Sequence, residues 1–554
     1  MISKFLKLPH TNGVQLLFSP EDRDHGAQFI LVLGKRSALE QYAQKTDKIP
    51  GLSMALAHLG EHELVSVFHI PGSKRRVTLC VLPNKASRHN CSARPDAITE
   101  TIQWQCKNLI RGTMVEVHMI LDDHSDAFAS GVAVAKGLPL YSRKTTHIQP
   151  MEPQHYSKVI VSFALAARPD IRVSDLIDLD AIEAAGDGTR LAAYLVDAPC
   201  NEMHTDLFVN QCRLLAKALG GEENHVFLRV LRGEDLREAG LNLLFNVGKA
   251  AEHPSNMAIL TYAPPEASSS KCITLVGKGI VFDTGGTCMK TSENMRGMKR
   301  DMGGAAAVLG AFQSIVRKRY IRHVVHAVLC LAENQISEKA MRIDDIHVGF
   351  SGKTVEINNT DAEGRLVVAD GVAYASRMLN SAVIIDVATL TGSQAVATGR
   401  RIAAIYSNSE QLEDLAVQAG RVSGDLCHPL PYVPEFWRSH LESDIADMKN
   451  AVSKRDNCPS ACAAHFIEEH LPGDYSGAWM HIDMAGPVSL GDRASGFGVG
   501  LLSQLFYQVD CGMDFAEGMN TTPTPNTNNN NNVVVVEQQP HQSMNHVAMG
   551  REPQ

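Results

Sequence analysis

The chain has 554 residues, 44% hydrophobic and 20% charged, with 52 Lys plus Arg against 61 Asp plus Glu for a net charge of −9. That balance excludes wholesale disorder and argues against a general nucleic-acid binder, while the length predicts about two to four domains. No run reaches the ~18 apolar residues of a membrane-spanning helix, and MISKFLKLPHTNG lacks the apolar core of a secretory signal, so a soluble, cytoplasmic protein without membrane partners is expected.

In chain order, the apolar runs VQLLF, FILVL, LVSVFHI, RVTLCVL, MVEVHMIL and VIVSFAL alternate with helix-patterned stretches at 93–110 and 125–138. This predicts an N-terminal α/β domain over residues 1–180 with a mostly buried sheet. A helix-favouring stretch at 174–196 is the expected connection. Between 181 and 510 the runs HVFLRVL, MAILTYA, CITLVG, HVVHAVLCLA, SAVIIDVATL and RIAAIYS alternate with helices predicted at 302–318 and 362–379. Such β-branched runs predict a second α/β domain on a mixed, largely parallel sheet flanked by helices, with its site at the carboxyl ends of strands. Residues 511–554, including TTPTPNTNNNNNVVVVEQQPHQS, read as a disordered low-complexity tail in which Val533–Val536 is an aggregation liability.

Several motifs imitate known sites and fail on inspection. Twelve cysteines include no CxxC pair, and Cys458 with Cys462 would supply only two thiolates, too few for a tetrahedral zinc site. His58, Glu61 and His62 fit HxxEH, but Gly60 weakens the helix that pattern needs. His465 and His470 are five apart, about 140° round a regular helix. Ser351-Gly-Lys-Thr354 lacks the leading glycine of a phosphate loop because position 347 is His347, and Gly277-Lys-Gly279 lacks its third glycine because position 282 is Phe282.

Two segments resist explanation by packing: LVGKGIVFDTGGTCMK (275–290) running on through MRGMKRDMGGAAAVLGAF to 312, and KTVEINNTDAEGRLVVADGVAYA (353–375). Each leads from a strand-like run into a polar loop. Asp283, Asp301, Asp361 and Glu363 sit there beside glycines, and Asp361 and Glu363 would point the same way from an extended backbone. Converging carboxylates repel unless cations intervene, and carboxylates around two divalent ions ~3.5–4 Å apart are a recurring hydrolase solution. The same acids could instead pair with Lys278, Lys290, Lys299, Arg300 and Arg365 as solvated salt bridges worth ~0–1 kcal/mol each. That reading leaves Gly277/Gly279, Gly285/Gly286 and Gly303/Gly304 unexplained. Glycines there would let backbone approach a ligand or take positive φ.

VGKGIVFDTGG, MKRDMGGAA and NTDAEGRL resemble the signature blocks of the leucyl aminopeptidase family, dizinc exopeptidases with a carboxyl-terminal catalytic domain, and the flanking sequence is most similar to its eukaryotic probable aminopeptidase-like branch. The similarity extends over about 190–505 through DVATLTG, SDIADMKN and HIDMAGP. The resemblance implies that Lys278, Asp283, Asp301 and Glu363 hold one metal ion (Zn²⁺ or Mn²⁺) and Asp283, Asp361 and Glu363 the other. Lys278 would ligate as a neutral amine, its pKa depressed by the ions. Lys290 would stay an ammonium and stabilise the oxyanion, and Arg365 would hold bicarbonate as the base. Met298, Thr389, Leu390 and Gly392 would line the substrate pocket, with Lys290 beside them.

The family further implies peptide substrates with an apolar, leucine-like amino terminus and a homo-hexamer. Two departures stand out: Cys288 replaces a small or hydroxyl residue, and Arg342-Ile-Asp-Asp345 replaces a Pro-Gly-Asp turn. Alternatives are a two-metal phosphoesterase and a catalytically marginal hexameric scaffold or binding protein.

Overall fold

The computed structural model describes residues 8–512 except 9, 21–24, 108, 110–111, 145–155, 266, 268–270, 319–320 and 453–456. The predicted tail, Val533–Val536 included, lies outside the described residues, apart from 511 and 512, which instead close the helix Val499–Gly512.

The first six apolar runs all form strands: β1 (Val14–Phe18), β2 (Phe29–Lys35), β3 (Val65–His69), β4 (Arg76–Leu82), β5 (Met114–Leu121) and β6 (Ser157–Leu165). They make one sheet in the order β1-β6-β5-β2-β4-β3, parallel except for the β3–β4 pair. Alternate residues of β2 feed two cores, as the two-residue period of a strand requires. Ile30 and Val32 pack with the helices Arg36–Lys45 and Leu52–His58. Leu31 and Leu33 pack with Pro95–Cys106 and Ala127–Lys136. The helix Leu52–His58 stops before Gly60, so Glu61 and His62 lie off it and the HxxEH pattern has no helical face.

The connecting helix, Leu179–Asp197, starts where the Asp178 carboxylate accepts the amide of Ala181 at 2.9 Å, an N-cap that satisfies one otherwise unpaired donor. It packs against both Ala127–Lys136 and Gly303–Lys318. At the second crossing Gly188 and Gly310 face each other so closely that a Cβ on Gly188 would lie 2.4 Å from the Gly310 carbonyl oxygen, and one on Gly310 2.5 Å from that of Gly188.

The second domain contains β7 (Val226–Arg232), β8 (Asn256–Tyr262), β9 (Cys272–Asp283), β10 (Val324–Asn334), β11 (Ile346–Val348), β12 (Thr354–Glu356), β13 (Ser381–Ala388), β14 (Ala403–Ser407), β15 (Cys427–Pro429), β16 (Met448–Lys449), β17 (Ala478–Asp483), β18 (Ser489–Leu490) and β19 (Arg493–Ala494). Eight of these form a mixed sheet in the order β15-β14-β17-β13-β9-β10-β8-β7, whose central run β17-β13-β9-β10 is parallel. Along β9, Ile273 and Leu275 face the helices Gly303–Lys318 and Val499–Gly512, while Val276 and Ile280 face the helix Glu363–Met378. Lys278 falls between the latter two in the pleat. The small sheet β11-β12-β16 and the hairpin β18-β19 complete the domain.

The Ser351–Thr354 segment lies in the turn joining β11 to β12, and no helix follows it. His470 is buried and its Nδ1 is hydrogen-bonded to Ser351 Oγ at 2.7 Å, whereas His465 pairs with Glu468 and Glu469, so the two histidines serve different contacts. Among the described residues no disulfide forms and no helix is long and apolar enough to cross a membrane.

Candidate active site

β9 and β10 end side by side, Asp283 opposite Asn334 in the ladder. Asn334 Nδ2 donates to Asp283 Oδ1 at 2.8 Å and to the Thr360 carbonyl at 3.1 Å, tying the end of the sheet to the second motif. The chain then turns through Gly285, whose amide also donates to Asp283 Oδ1 at 2.8 Å. Gly285 has φ +86°, and a Cβ there would meet the Cys288 carbonyl at 2.5 Å and Asp361 Oδ1 at 3.0 Å, so both backbone strain and space require glycine. The other glycine pairs have a different cause. A Cβ on Gly277 would lie 2.6 Å from Ala305 Cα and one on Gly304 2.0 Å from the Val387 carbonyl, so these residues let the helix Gly303–Lys318 lie directly on the sheet.

Asp361 and Glu363 do not come from an extended backbone as their spacing suggested. Asp361 lies in a turn and Glu363 opens the helix Glu363–Met378. The turn is clamped by Asn450, whose Oδ1 accepts the amides of Asn358 and Asn359 (2.9 and 3.2 Å) and whose Nδ2 donates to the Asn359 carbonyl at 2.7 Å. Thr360 Oγ1 donates to the Gly285 carbonyl at 2.6 Å and accepts the Cys288 amide at 2.8 Å. The Cys288 thiol is half-buried and receives the Thr360 amide at 3.4 Å. In the variant turn, Asp344 takes the left-handed conformation (φ +70°) that glycine would otherwise supply, and Asp345 caps the Arg342 amide at 3.0 Å.

The result brings seven predicted residues together. Oxygens of Asp283, Asp361 and Glu363 lie within 4.8 Å of one another. Lys278 Nζ stands on one side, 2.7 Å from Asp301 Oδ1 and 3.2 Å from Glu363 Oε1, and donates to the Thr389 carbonyl at 3.0 Å. Lys290 Nζ stands on the other, 2.8 Å from Asp283 Oδ2 and in contact with Asp361 Oδ1. Four carboxylates outweigh two ammonium groups by two charges in a buried space. Burial, reinforced by Glu363, pushes the Asp283 carboxyl up to about 6. Burial pushes Asp301 up to about 8 against the pull of Lys278, and Asp361 also rises through burial and Glu363. Burial would lower both lysines, but Asp301, Glu363 and Asp283 raise Lys278, and Asp283 and Glu363 raise Lys290.

Two orphaned groups show what the cluster fits. Asp301 Oδ2 is buried with no hydrogen-bond partner among the described residues, although Thr389 Oγ1 donates to Oδ1 of the same carboxylate at 2.8 Å. Excess buried negative charge, unsatisfied oxygen and closely spaced carboxylates suit divalent cations. Arg365, the third residue of the Glu363 helix and 9% exposed, has Nε and Nη1 likewise without partners among the described residues, and burial pulls its pKa to about 10 despite Glu363. A buried fork of unpartnered donors fits a small planar anion.

The predicted pocket residues are arranged unevenly. Thr389 is tied to Asp301. Leu390 is half-buried, its amide donating to Asp483 Oδ1 at 3.0 Å. Gly392 is exposed with nothing within 4 Å of a hypothetical Cβ, and Met298 is half-buried in the short turn Met298–Arg300. Sequence reasoning missed Asn334, Thr360, Asn450 and Asp483. Asp483 shapes the 389–392 loop by also accepting the amide and hydroxyl of Thr391 (3.1 and 2.7 Å). Its only signal was its position at a strand's carboxyl end inside HIDMAGP.

Known proteins share this arrangement of chain. The cytosol aminopeptidase family catalytic domain matches residues 190–503, and M17 aminopeptidase N-terminal domain 2 matches 28–147. Probable aminopeptidase NPEPL1 of Mus musculus is 44% identical over 455 residues, covering 80% of this chain and 84% of the relative. Leucine aminopeptidase 1 of Caenorhabditis elegans is 35% identical over 502 residues, covering 89% and 96%. Among solved structures, leucyl aminopeptidase from Leishmania major in complex with actinonin superposes with a TM-score of 0.82 at 31% identity, covering 92% of this chain and 97% of that one. The bottromycin maturation enzyme BotP in complex with Mn superposes with a TM-score of 0.70 at 26% identity, covering 88% and 100%.

Proposed function

The chain belongs to the cytosol aminopeptidase family and is a metal-dependent aminopeptidase; on that basis we propose that it removes apolar, leucine-like residues from peptide amino termini at a centre for two divalent ions, Zn²⁺ or Mn²⁺. The observation that carries the two-ion reading is the approach of Asp283, Asp361 and Glu363 to within 4.8 Å, with Lys278 and Asp301 on one flank. Lys278, Asp283, Asp301 and Glu363 would hold one ion, and Asp283, Asp361 and Glu363 the other. When bound, such ions supply Lewis acidity toward the scissile carbonyl, acidify a water and capture the substrate's free amine.

The chain's own groups do the rest. Lys290, kept protonated by Asp283, donates a hydrogen bond toward the oxyanion that develops at the carbonyl. Lys278 must shed its proton to ligate, and its contacts with Asp301 and Glu363 place it to do so only when cations replace that proton's charge. Arg365 would hold bicarbonate, an anion able to act as a base, through its unpaired Nε and Nη1. Asn334 and Gly285 orient Asp283, and Thr389 orients Asp301. Met298, Leu390 and Gly392 would border the side-chain pocket.

We assign residues 1–180 to an N-terminal domain and 181–510 to the catalytic domain, and infer a cytosolic homo-hexamer. Exposed Ile346 and Val348 on the small sheet are apolar surface that assembly would cover. The test is hydrolysis of a leucyl arylamide alongside metal analysis of the same preparation. About two ions per chain, activity lost to chelator and to Asp361→Asn, and no turnover of an aryl phosphate are expected. Activity surviving both perturbations refutes the two-ion reading.

A further inference from the structure

At the outer edge of the eight-stranded sheet lies a second group of metal-type donors that the aminopeptidase chemistry does not use. His204 and Asp206 flank the start of the helix Thr205–Ala218, and His253 comes from the loop before β8. One ligating atom from each lies within 4.8 Å of the other two. In the sheet order β9-β10-β8-β7 this places them beside β7 and β8, two to three strands or about 10–14 Å across the sheet from β9 at the usual strand spacing.

The two loops are fastened to each other. Thr205 Oγ1 donates to the Pro254 carbonyl at 2.8 Å, next to His253. Asn256 Nδ2 donates to the same carbonyl at 3.0 Å and to Asp206 Oδ1 at 3.4 Å. Arg232 grips Asp206 with Nε 2.8 Å from Oδ1 and Nη2 3.0 Å from Oδ2. The carboxylate is thereby held well down, to about 2. Oδ2, which takes one donor from Arg232, keeps a further lone pair.

The imidazoles stack face to face, ring centroids 3.4 Å apart and planes 7° from parallel. Two imidazolium ions would repel at that distance. Burial, and then His253, hold the His204 pKa below its usual value, which keeps a nitrogen lone pair available. His204 Nδ1 is buried with no partner among the described residues, and His253 Nδ1 is 3.4 Å from Asp206 Oδ2. The side chains of His253 and Asp206 are 34% and 31% exposed, so an ion with its own water can enter.

We propose that His204, Asp206 and His253 form a zinc-binding site separate from the aminopeptidase centre. Two imidazoles, one carboxylate and a water are a donor set that zinc accepts in tetrahedral geometry. Parallel rings cannot both aim their lone pairs at one ion, so binding turns one ring out of the stack. His253, on the loop before β8 with its side chain 34% exposed, is the ring assigned to turn. The positive end of the helix opposes a cation there, and Asp206 in the first turn offsets it.

The test is equilibrium dialysis of the full-length protein against buffered free Zn²⁺ with metal analysis, comparing wild type with His204→Gln, His253→Ala and His253→Gln. The variants are expected to bind one fewer zinc per chain, or to bind it at least tenfold more weakly, while leucyl-arylamide activity in Mn²⁺ and the melting temperature stay at wild-type values. A Co²⁺ titration should likewise lose one visible-absorbing equivalent in each variant. The difference between proteins carries the result, so it stands however many ions the Asp283 cluster holds. Equal zinc content and affinity in wild type and the folded variants overturns the proposal.

Discussion

Gly364→Ala concentrates the site's geometry in one methyl group. Gly364 follows Glu363 in the first turn of its helix, where alanine would ordinarily add about 1 kcal/mol of helix stability. A Cβ there would lie 2.4 Å from Lys278 Cε, 2.6 Å from Nζ and 2.9 Å from Cδ. Relief to an ordinary contact of ~3.5 Å requires the lysine stem to move about 1 Å. The stem has nowhere to go, since Nζ is held by Asp301, Glu363 and the Thr389 carbonyl and its side chain is 3% exposed. Overpacking of this kind costs about 1–3 kcal/mol, so the net stability loss is about 0–2 kcal/mol and the protein still folds.

A 1 Å displacement at a reacting centre costs about 10²-fold in rate, about 2.7 kcal/mol. Leucyl-arylamide kinetics with the melting temperature of the same sample measure both effects. In a Lys278→Ala background the clash is gone, and adding Gly364→Ala should be neutral or stabilising, a non-additivity that a double-mutant cycle reads directly. Activity of Gly364→Ala within threefold of wild type, or additive stabilities in the cycle, refutes the reasoning.

Arg365→Gln should lower kcat about 10²-fold with metal content unchanged, measured by kinetics and metal analysis, because it removes the unpaired donor fork without touching a carboxylate. Asp370→Ala should destabilise by about 2–3 kcal/mol in urea unfolding, since the buried carboxylate accepts the amides of Leu244 (3.0 Å) and Phe350 (2.8 Å), which would be left unpaired. His326 is buried, its pKa pulled by that burial to about 4, so the unfolded chain binds a proton near pH 6.5 that the folded chain refuses. Its contribution is present above pH 6.5 and lost as pH falls from there toward 4, about 2 kcal/mol by pH 5. His326→Gln should flatten that part of the stability–pH profile in urea titrations, and an unchanged slope would count against it.

The strands were legible because most are buried on both faces and therefore spelled as unbroken apolar runs. All six of the first sheet coincide with such runs: β2 because its neighbouring residues feed opposite cores, and β3 even though it is an exposed edge strand. β17 was less visible because AWMHID mixes His481 and Asp483 into a buried strand, where Asp386 satisfies His481 from the adjacent β13. The acids of the site could be read from their glycine-rich setting, but the reason for most of those glycines could not. Gly277 and Gly304 serve the contact of helix with sheet, a fact that exists only once residues far apart in sequence are stacked. Asn334 and Asn450 were invisible for the same reason. An asparagine at a strand end carries no distinguishing local pattern until the carboxylate or turn it clamps arrives from elsewhere in the chain.

The meeting of Gly188 with Gly310 has a mechanical consequence. Interlocked side chains can absorb a small slip between two helices by changing rotamer, whereas bare peptide planes pressed together have no such give. The helix Leu179–Asp197, which also packs on Ala127–Lys136, is thereby seated directly on the helix Gly303–Lys318, and Asp301 lies just upstream of that helix's first residue. A side chain at either glycine would therefore wedge the two helices apart beside the segment that carries Asp301.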